Sequence, residues 1–212
     1  MNIKGTIFDL DGTLIDSTWI WNRIDMEFLG KRGYDVPEDY VHHIAPLGVD
    51  ETAIYTKERF HLPETTDEIK KEWYDMAIDA YTNEILLKPG VYDYLHILHN
   101  KGISLAVATA SDKELVVPVL RRNKVLELFN NITTIKEVSR GKGYPDIYIF
   151  AAEKMNLGPA ECVVYEDIIQ GVTGSKKGGF YTVAVNDNHS AEYKENLINM
   201  ADKYINSFEE LI

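Results

Sequence analysis

Cysteine, basic clusters and long apolar runs are all scarce in this chain, and each scarcity closes a class of function. No stretch among its 212 residues supplies the roughly 20 consecutive apolar residues that a membrane-spanning helix needs. Met1-Asn2-Ile3-Lys4-Gly5 has no signal-peptide architecture. Twenty-two Lys and Arg stand against 34 Asp and Glu, a net charge of −12. That balance argues against a nucleic-acid surface and against docking on an anionic membrane. The one cysteine, Cys162, lies in the apolar run Cys162-Val163-Val164-Tyr165 and reads as a small buried hydrophobe. A single thiol forms no internal disulfide, so the expected location is a reducing cytoplasm. Internal repeats and low-complexity segments are absent as well.

The stretch that is conspicuous is Ile3 to Thr13. Ile3 to Phe8 reads as a short buried strand, and Asp9-Leu10-Asp11-Gly12-Thr13 follows it directly. In extended backbone Asp9 and Asp11 point to the same side. Two like charges held that close need a cation or hydrogen-bond donors. A solvated Asp-x-Asp-Gly turn fits the same letters, but aspartates capping an apolar strand favour a site, since ligands of open α/β sheets bind outside the carboxyl ends of strands.

Residues 17–84 then read as helical throughout. Trp19, Ile20, Trp21, Ile24, Phe28 and Leu29 carry helical spacing up to Gly30 and Gly33. Pro37 opens a second helix, which Ala45-Pro46-Leu47-Gly48 breaks, and a third runs from about Asp50 to Phe60. Thr65 with Glu68 makes a capping box for a long fourth. After the Pro89-Gly90 turn, strands alternate with helices: Ile103–Thr109, Ile132–Ile135, Cys162–Tyr165, Tyr181–Val185 and a short strand near Tyr204. Helices are expected at Val91–Asn100, after Ser111 with Glu114 as cap, from Pro145 to Met155, and from about Ala191. Such alternation implies a Rossmann-like, doubly wound parallel α/β sheet. The organisation is therefore a core of residues 1–16 and 85–212 interrupted by an all-α insertion, 17–84. That insertion holds fifteen acids against seven Lys or Arg, which disfavours a polyanionic substrate. Trp19, Trp21 and Trp73 read chiefly as core residues, with Trp21 the one to watch as a substrate contact because it follows the first aspartates so closely.

The strand ends gather like chemistry. The first gives Asp9 and Asp11, the second Thr109-Ala110-Ser111, the segment before a later helix Gly141-Lys142-Gly143, and the next strong strand Glu166-Asp167. Acids on two strands with one lysine suit Mg²⁺ and a phosphate. Taken alone, Glu166-Asp167 also matches an acidic helix N-terminus, and Ser111 matches a helix N-cap.

In this order, Asp9-x-Asp11-x-Thr13, Thr109, Lys142 before Pro145-Asp146, and Glu166-Asp167 with Gly171 resemble the four motifs of the haloacid dehalogenase superfamily, in its small phosphatase and β-phosphoglucomutase-like branch. The resemblance spans nearly the whole chain, and the inserted helices match that family's cap domain. It implies a Mg²⁺-dependent phosphatase acting on a small phosphorylated metabolite, with the cap closing over the substrate. Asp9 would be the nucleophile that forms an aspartyl-phosphate, and Asp11 the general acid and base. Thr109, the Ala110 amide and Lys142 would bind phosphate. The metal would lie between Asp9, the main-chain carbonyl of Asp11 and Asp167, with Glu166 nearby.

Asp11 argues against carbon–halogen cleavage, whose halide leaving group needs no acid. Lys31, at a helix end, reads as a partner of the helix dipole rather than a Schiff-base lysine. Thr13 and Trp21 depart from the mutases and tilt the reading toward hydrolysis. Gly143 replaces the proline that usually follows the motif lysine, which loosens the expected placement of Lys142. A sugar-phosphate mutase is the alternative within the family. A non-catalytic receiver-like phosphoacceptor domain is the alternative outside it, disfavoured by the length of the chain and by the insertion. The motifs name neither the metabolite nor the oligomeric state.

Overall fold

The computed structural model describes residues 2–44 and 47–212, so the break expected at Ala45-Pro46 lies outside the described residues. The elements run β1 (Gly5–Phe8), α1 (Ile20–Gly30), α2 (Glu38–Ile44), α3 (Val49–Arg59), α4 (Thr66–Asn83), α5 (Val91–Asn100), β2 (Ser104–Thr109) and α6 (Lys113–Arg122). They continue with β3 (Asn131–Thr134), α7 (Asp146–Glu153), β4 (Cys162–Glu166), α8 (Ile169–Lys177), β5 (Tyr181–Val185), α9 (Lys194–Met200) and β6 (Lys203–Ile205). Backbone contacts divide the chain into two units, Met1–Thr18 with Ile85–Ile212, and Trp19–Glu84.

The first unit is an α/β layer structure. Its six strands pair in the order β3-β2-β1-β4-β5-β6, every pair parallel. Strand order reverses at β1, which β2 flanks on one side and β4 on the other. Ligand sites of open parallel sheets form at that reversal. Every residue of β1 is buried, as expected of a strand covered on both faces. Ile7 packs toward α7 with Ala106, Ile147, Tyr148, Ala151 and Val164, and Cys162 is buried in the same cluster. Phe8 points to the other face. Its ring stacks on Tyr165 with centroids 4.9 Å apart and meets the edges of Tyr94 and Phe129.

The second unit is helical. Ile20, Ile24, Phe28 and Leu29 form the buried stripe of α1, and Ile69, Trp73, Ala77, Ala80 and Tyr81 that of α4. The two meet where Phe28 lies edge-on to Trp73 at 5.4 Å. Thr65 Oγ accepts from the Glu68 amide and the Glu68 carboxylate accepts from the Thr65 amide, so the expected capping box starts α4. Arg32 lies over the Phe28 ring and donates to both Glu64 and Glu72.

Four sequence expectations change. Only Trp73 is core: Trp19 is 37% and Trp21 50% exposed, because Trp19 precedes α1 and Trp21 follows Ile20, turning away from the buried stripe. The third strand starts and stops one residue early, because Ile135 opens a short 3₁₀ turn whose Glu137 carboxylate accepts from the Thr134 amide. The helix near Ala191 begins as a 3₁₀ turn and becomes α-helical at Lys194. The N-cap of α6 is Asp112, not Ser111. The packing around Phe8 sets the alignment of β1, so Phe8→Ala is expected to destabilise the protein by about 3–5 kcal/mol, measured by urea unfolding; a loss below about 1 kcal/mol contradicts this packing role.

Candidate active site

The site grows from the end of β1. The Asp9 amide donates to the Tyr165 carbonyl at 3.0 Å, extending the pairing with β4 one residue past the strand. The chain then coils on itself, with the amides of Leu14 and Ile15 both donating to the Leu10 carbonyl and the Gly12 amide donating to that of Ile15. Gly12 has φ of +78°, and a Cβ there would stand 2.3 Å from Asp167 Oδ2. Only glycine satisfies both demands.

β4 delivers Glu166 and Asp167, both buried. Thr13 Oγ1 donates to Asp167 Oδ1 at 3.0 Å. Glu166 Oε1 accepts from Lys142 Nζ at 2.7 Å and from the Tyr148 hydroxyl at 2.8 Å. Lys142 Nζ also pairs with Asp9 Oδ1. One buried ammonium thus bridges the ends of β1 and β4. The carboxylates of Asp9, Glu166 and Asp167 each offer an oxygen, and these lie within 4.8 Å of one another. Glu166 Oε2 is buried without a hydrogen-bond partner among the described residues.

Three acids around one lysine leave excess negative charge in a buried place. Burial raises the Asp9 carboxyl well above its ordinary range; Lys142 opposes that shift, and Glu166, Asp167 and Asp11 add to it. Burial likewise pushes Asp167 up to about 7, with Glu166 adding and Lys142 opposing. For Lys142, burial alone would weaken the charged form, but Asp9 and Glu166 outweigh it and hold the amine protonated. A hard cation with oxygen ligands relieves this imbalance, and the unpartnered Glu166 oxygen gives it a further acceptor. The donor set therefore fits Mg²⁺.

Asp11 stands apart from that cluster. Its Oδ1 accepts from Ser17 Oγ and its Oδ2 from Ser111 Oγ, each at 2.7 Å. Ser111, read from sequence as a helix cap, is thus a partner of Asp11. Thr109 is buried at the end of β2, and its Oγ1 accepts from the Ser111 amide at 2.9 Å. This turn leaves Ala110 exposed. The Lys142 loop is held despite Gly143. A Cβ on Gly174 would come within 2.0 Å of the Lys142 carbonyl, so α8 lies directly against that loop. Lys177 Nζ donates to the Gly143 carbonyl at 3.1 Å. The Tyr144 ring makes cation–π contacts with both Arg140 and Lys177. Gly171 is as tightly constrained, since its Cβ would stand 2.1 Å from Glu166 Cδ.

The structure thus brings together Asp9, Lys142, Glu166 and Asp167, and it ties Asp11 to the Thr109–Ser111 turn. Trp21 belongs to the helical unit. Sequence reasoning missed Ser17 and Tyr148. A tyrosine on the buried face of α7 was a usable signal, because a buried hydroxyl requires a partner.

A sequence model of the haloacid dehalogenase-like hydrolases matches residues 6–185. Hexitol phosphatase A of Escherichia coli is 33% identical over 191 residues, 88% of this chain and 84% of that protein. The bifunctional riboflavin kinase/FMN phosphatase of Arabidopsis thaliana is 31% identical over 202 residues, 95% of this chain, which spans only 52% of that longer protein. Among solved structures, a Thermotoga maritima protein assigned as a β-phosphoglucomutase superposes with a TM-score of 0.86 at 25% identity, covering 99% of this chain and 96% of its own.

The raised carboxyl of Asp167 sets a direction. A folded-state pKa near 7 against an ordinary value of 3.8 means that the folded protein holds a proton the unfolded chain has lost. Stability from this group is therefore full below about pH 4 and is lost as pH rises through 7. In EDTA, Asp167→Asn is expected to gain stability relative to the parent between pH 5 and 8. Saturating Mg²⁺ should cancel that gain by stabilising the parent alone. Thermal melts at both pH values check it; a pH-independent difference contradicts it.

Proposed function

The chain belongs to the haloacid dehalogenase-like hydrolase family, and on that premise we propose that it is a Mg²⁺-dependent phosphatase of a small phosphorylated metabolite, working through an aspartyl-phosphate on Asp9. The observation that carries this reading is the division of labour between the two aspartates. Asp9 lies against an ammonium and two further carboxylates. Asp11 is held by two hydroxyls instead.

In this reading Asp9 attacks phosphorus and the ester P–O bond breaks. The Asp11 carboxyl gives its proton to the departing alkoxide. The Asp11 carboxylate then takes a proton from water as that water attacks the acyl phosphate, which releases inorganic phosphate and restores Asp9. Ser17 and Ser111 orient Asp11 through both of its oxygens. Lys142, with Thr109 and the Ala110 amide, faces the phosphoryl oxygens. Asp9, Asp167 and the Asp11 main-chain carbonyl, with Glu166 nearby, would hold Mg²⁺, which would supply neutralising charge to the phosphoryl group. The helical unit, with half-exposed Trp21 on α1, is the proposed source of substrate choice. No helix among the described residues is long and apolar enough to cross a membrane. The lone buried thiol supports a cytoplasmic setting. The acidic balance of −12 supports a small-molecule substrate rather than nucleic acid or membrane.

A sugar-phosphate mutase is the second reading, favoured by the likeness to the Thermotoga protein. A phosphate-release screen over phosphorylated metabolites with Mg²⁺ separates the two. Release is expected, and Asp9→Asn should lower it about a thousandfold or more while the fold is kept. Asp11→Asn should slow it about 10²–10⁴-fold. Undiminished release by Asp9→Asn sinks the nucleophile assignment. Isomerised product without released phosphate, dependent on an added bisphosphate, establishes the mutase.

A further inference from the structure

Neither the motifs nor the proposed chemistry uses Lys88, yet its ammonium is fully engaged next to the site. It donates to the carbonyls of Gly12 and Asn186, each at 2.6 Å, and to Asp187 Oδ2 at 3.0 Å. A lysine has three donors, and all three are spent. The side chains of Lys88 and Asp187 are only 13% and 5% exposed. Asp187 follows β5, so one side chain ties the loop after β1 to the loop after β5.

The base of this lysine is rigid. Its own amide donates to the Leu14 carbonyl at 2.9 Å. Two residues before it, the Leu86 carbonyl accepts from the Asp16 amide, and the Leu87 amide donates to Asn123 Oδ1. Two residues after it, Gly90 (φ of +79°) lies so close to the Phe208–Glu209 backbone that a Cβ would stand 2.4 Å from the Glu209 nitrogen. The strand-like 85–90 strap is therefore fixed on both sides, and Lys88 projects from it onto the back of the Asp9–Thr13 turn.

Gly12 sits between the two residues with opposite duties, Asp11 and Thr13. Its amide is committed to the Ile15 carbonyl, so its carbonyl is the remaining handle on the turn. A Cβ on Gly12 would stand 2.3 Å from Asp167 Oδ2 and 3.4 Å from Asp187 Cγ, which puts Asp187 close behind the carboxylate cluster. A fourth buried acid there worsens the cluster's charge imbalance unless a cation cancels it.

Resting on the phosphatase reading, we propose that Lys88 is a positioning residue. It fixes the Gly12 carbonyl, and with it the turn that presents Asp11 and Thr13, and it cancels the charge of Asp187 behind the cluster. Two variants test this, Lys88→Met and the double variant Lys88→Met with Asp187→Asn, which leaves no buried unpaired charge. Lys88→Met is expected to lower kcat about ten- to a hundredfold with KM changed less than about threefold, the signature of a misplaced catalytic group. Amide hydrogen exchange at Gly12 and Ile15 should speed up about tenfold or more, while Ile7 in β1 stays protected. The double variant should recover thermal stability without recovering kcat. Full recovery of kcat by the double variant, or an unchanged kcat in Lys88→Met, overturns the positioning role. If the parent releases no phosphate from any metabolite, the phosphatase reading fails by itself. The exchange measurement then still decides whether Lys88 clamps the turn, and unchanged exchange overturns it.

Discussion

The structure of the core depends on one buried ammonium. Lys142 stands between Asp9 and Glu166, at the ends of two neighbouring strands. Without it three buried carboxylates would face one another, an arrangement that each would escape only by taking up a proton. With it the cluster still carries more negative charge than positive, and the raised Asp9 and Asp167 carboxyls record the remainder. Excess buried negative charge of this kind suits a hard cation, and in the proposed reading that cation, with Lys142, would offset the charge of the phosphoryl group.

Backbone proximity makes that concentration of charge achievable. β1 lies between β2 and β4 at the reversal of strand order, so the residues following three strands meet. Gly12, Gly171 and Gly174 then let main chain approach Asp167, Glu166 and the Lys142 carbonyl closer than any Cβ allows. The hydroxyls of Thr13 and Tyr148 each fix one oxygen of an acid, leaving other oxygens for ligands. The Gly143 loop is held by a different route, with Tyr144 in cation–π contact with Arg140 and Lys177, and Lys177 bonded to the loop carbonyl.

Much of this was legible in the sequence because it is local. The apolar strand before Asp9, the alternation of strands and helices after residue 90, and the capping box at Thr65 are each encoded within a few residues. The convergence of Asp9, Lys142 and Asp167 followed from a parallel sheet, in which strand ends share a rim. What sequence could not give was nonlocal partnering. Ser111 looked like a cap because Ser-x-x-Glu is a capping pattern, but its hydroxyl is taken by Asp11, 100 residues away. Trp19 looked like core by composition, and its position before the first turn of α1 exposes it.

The central claim is that Mg²⁺ completes a cluster that otherwise keeps a proton. Calorimetric titration with Mg²⁺ near pH 6.5, repeated in buffers of different ionisation enthalpy, counts the protons released on binding. Asp167, pushed up to about 7, predicts release of roughly half a proton or more per ion there. Binding that releases no proton near pH 6.5, or an absence of Mg²⁺ binding in the parent protein, contradicts the account.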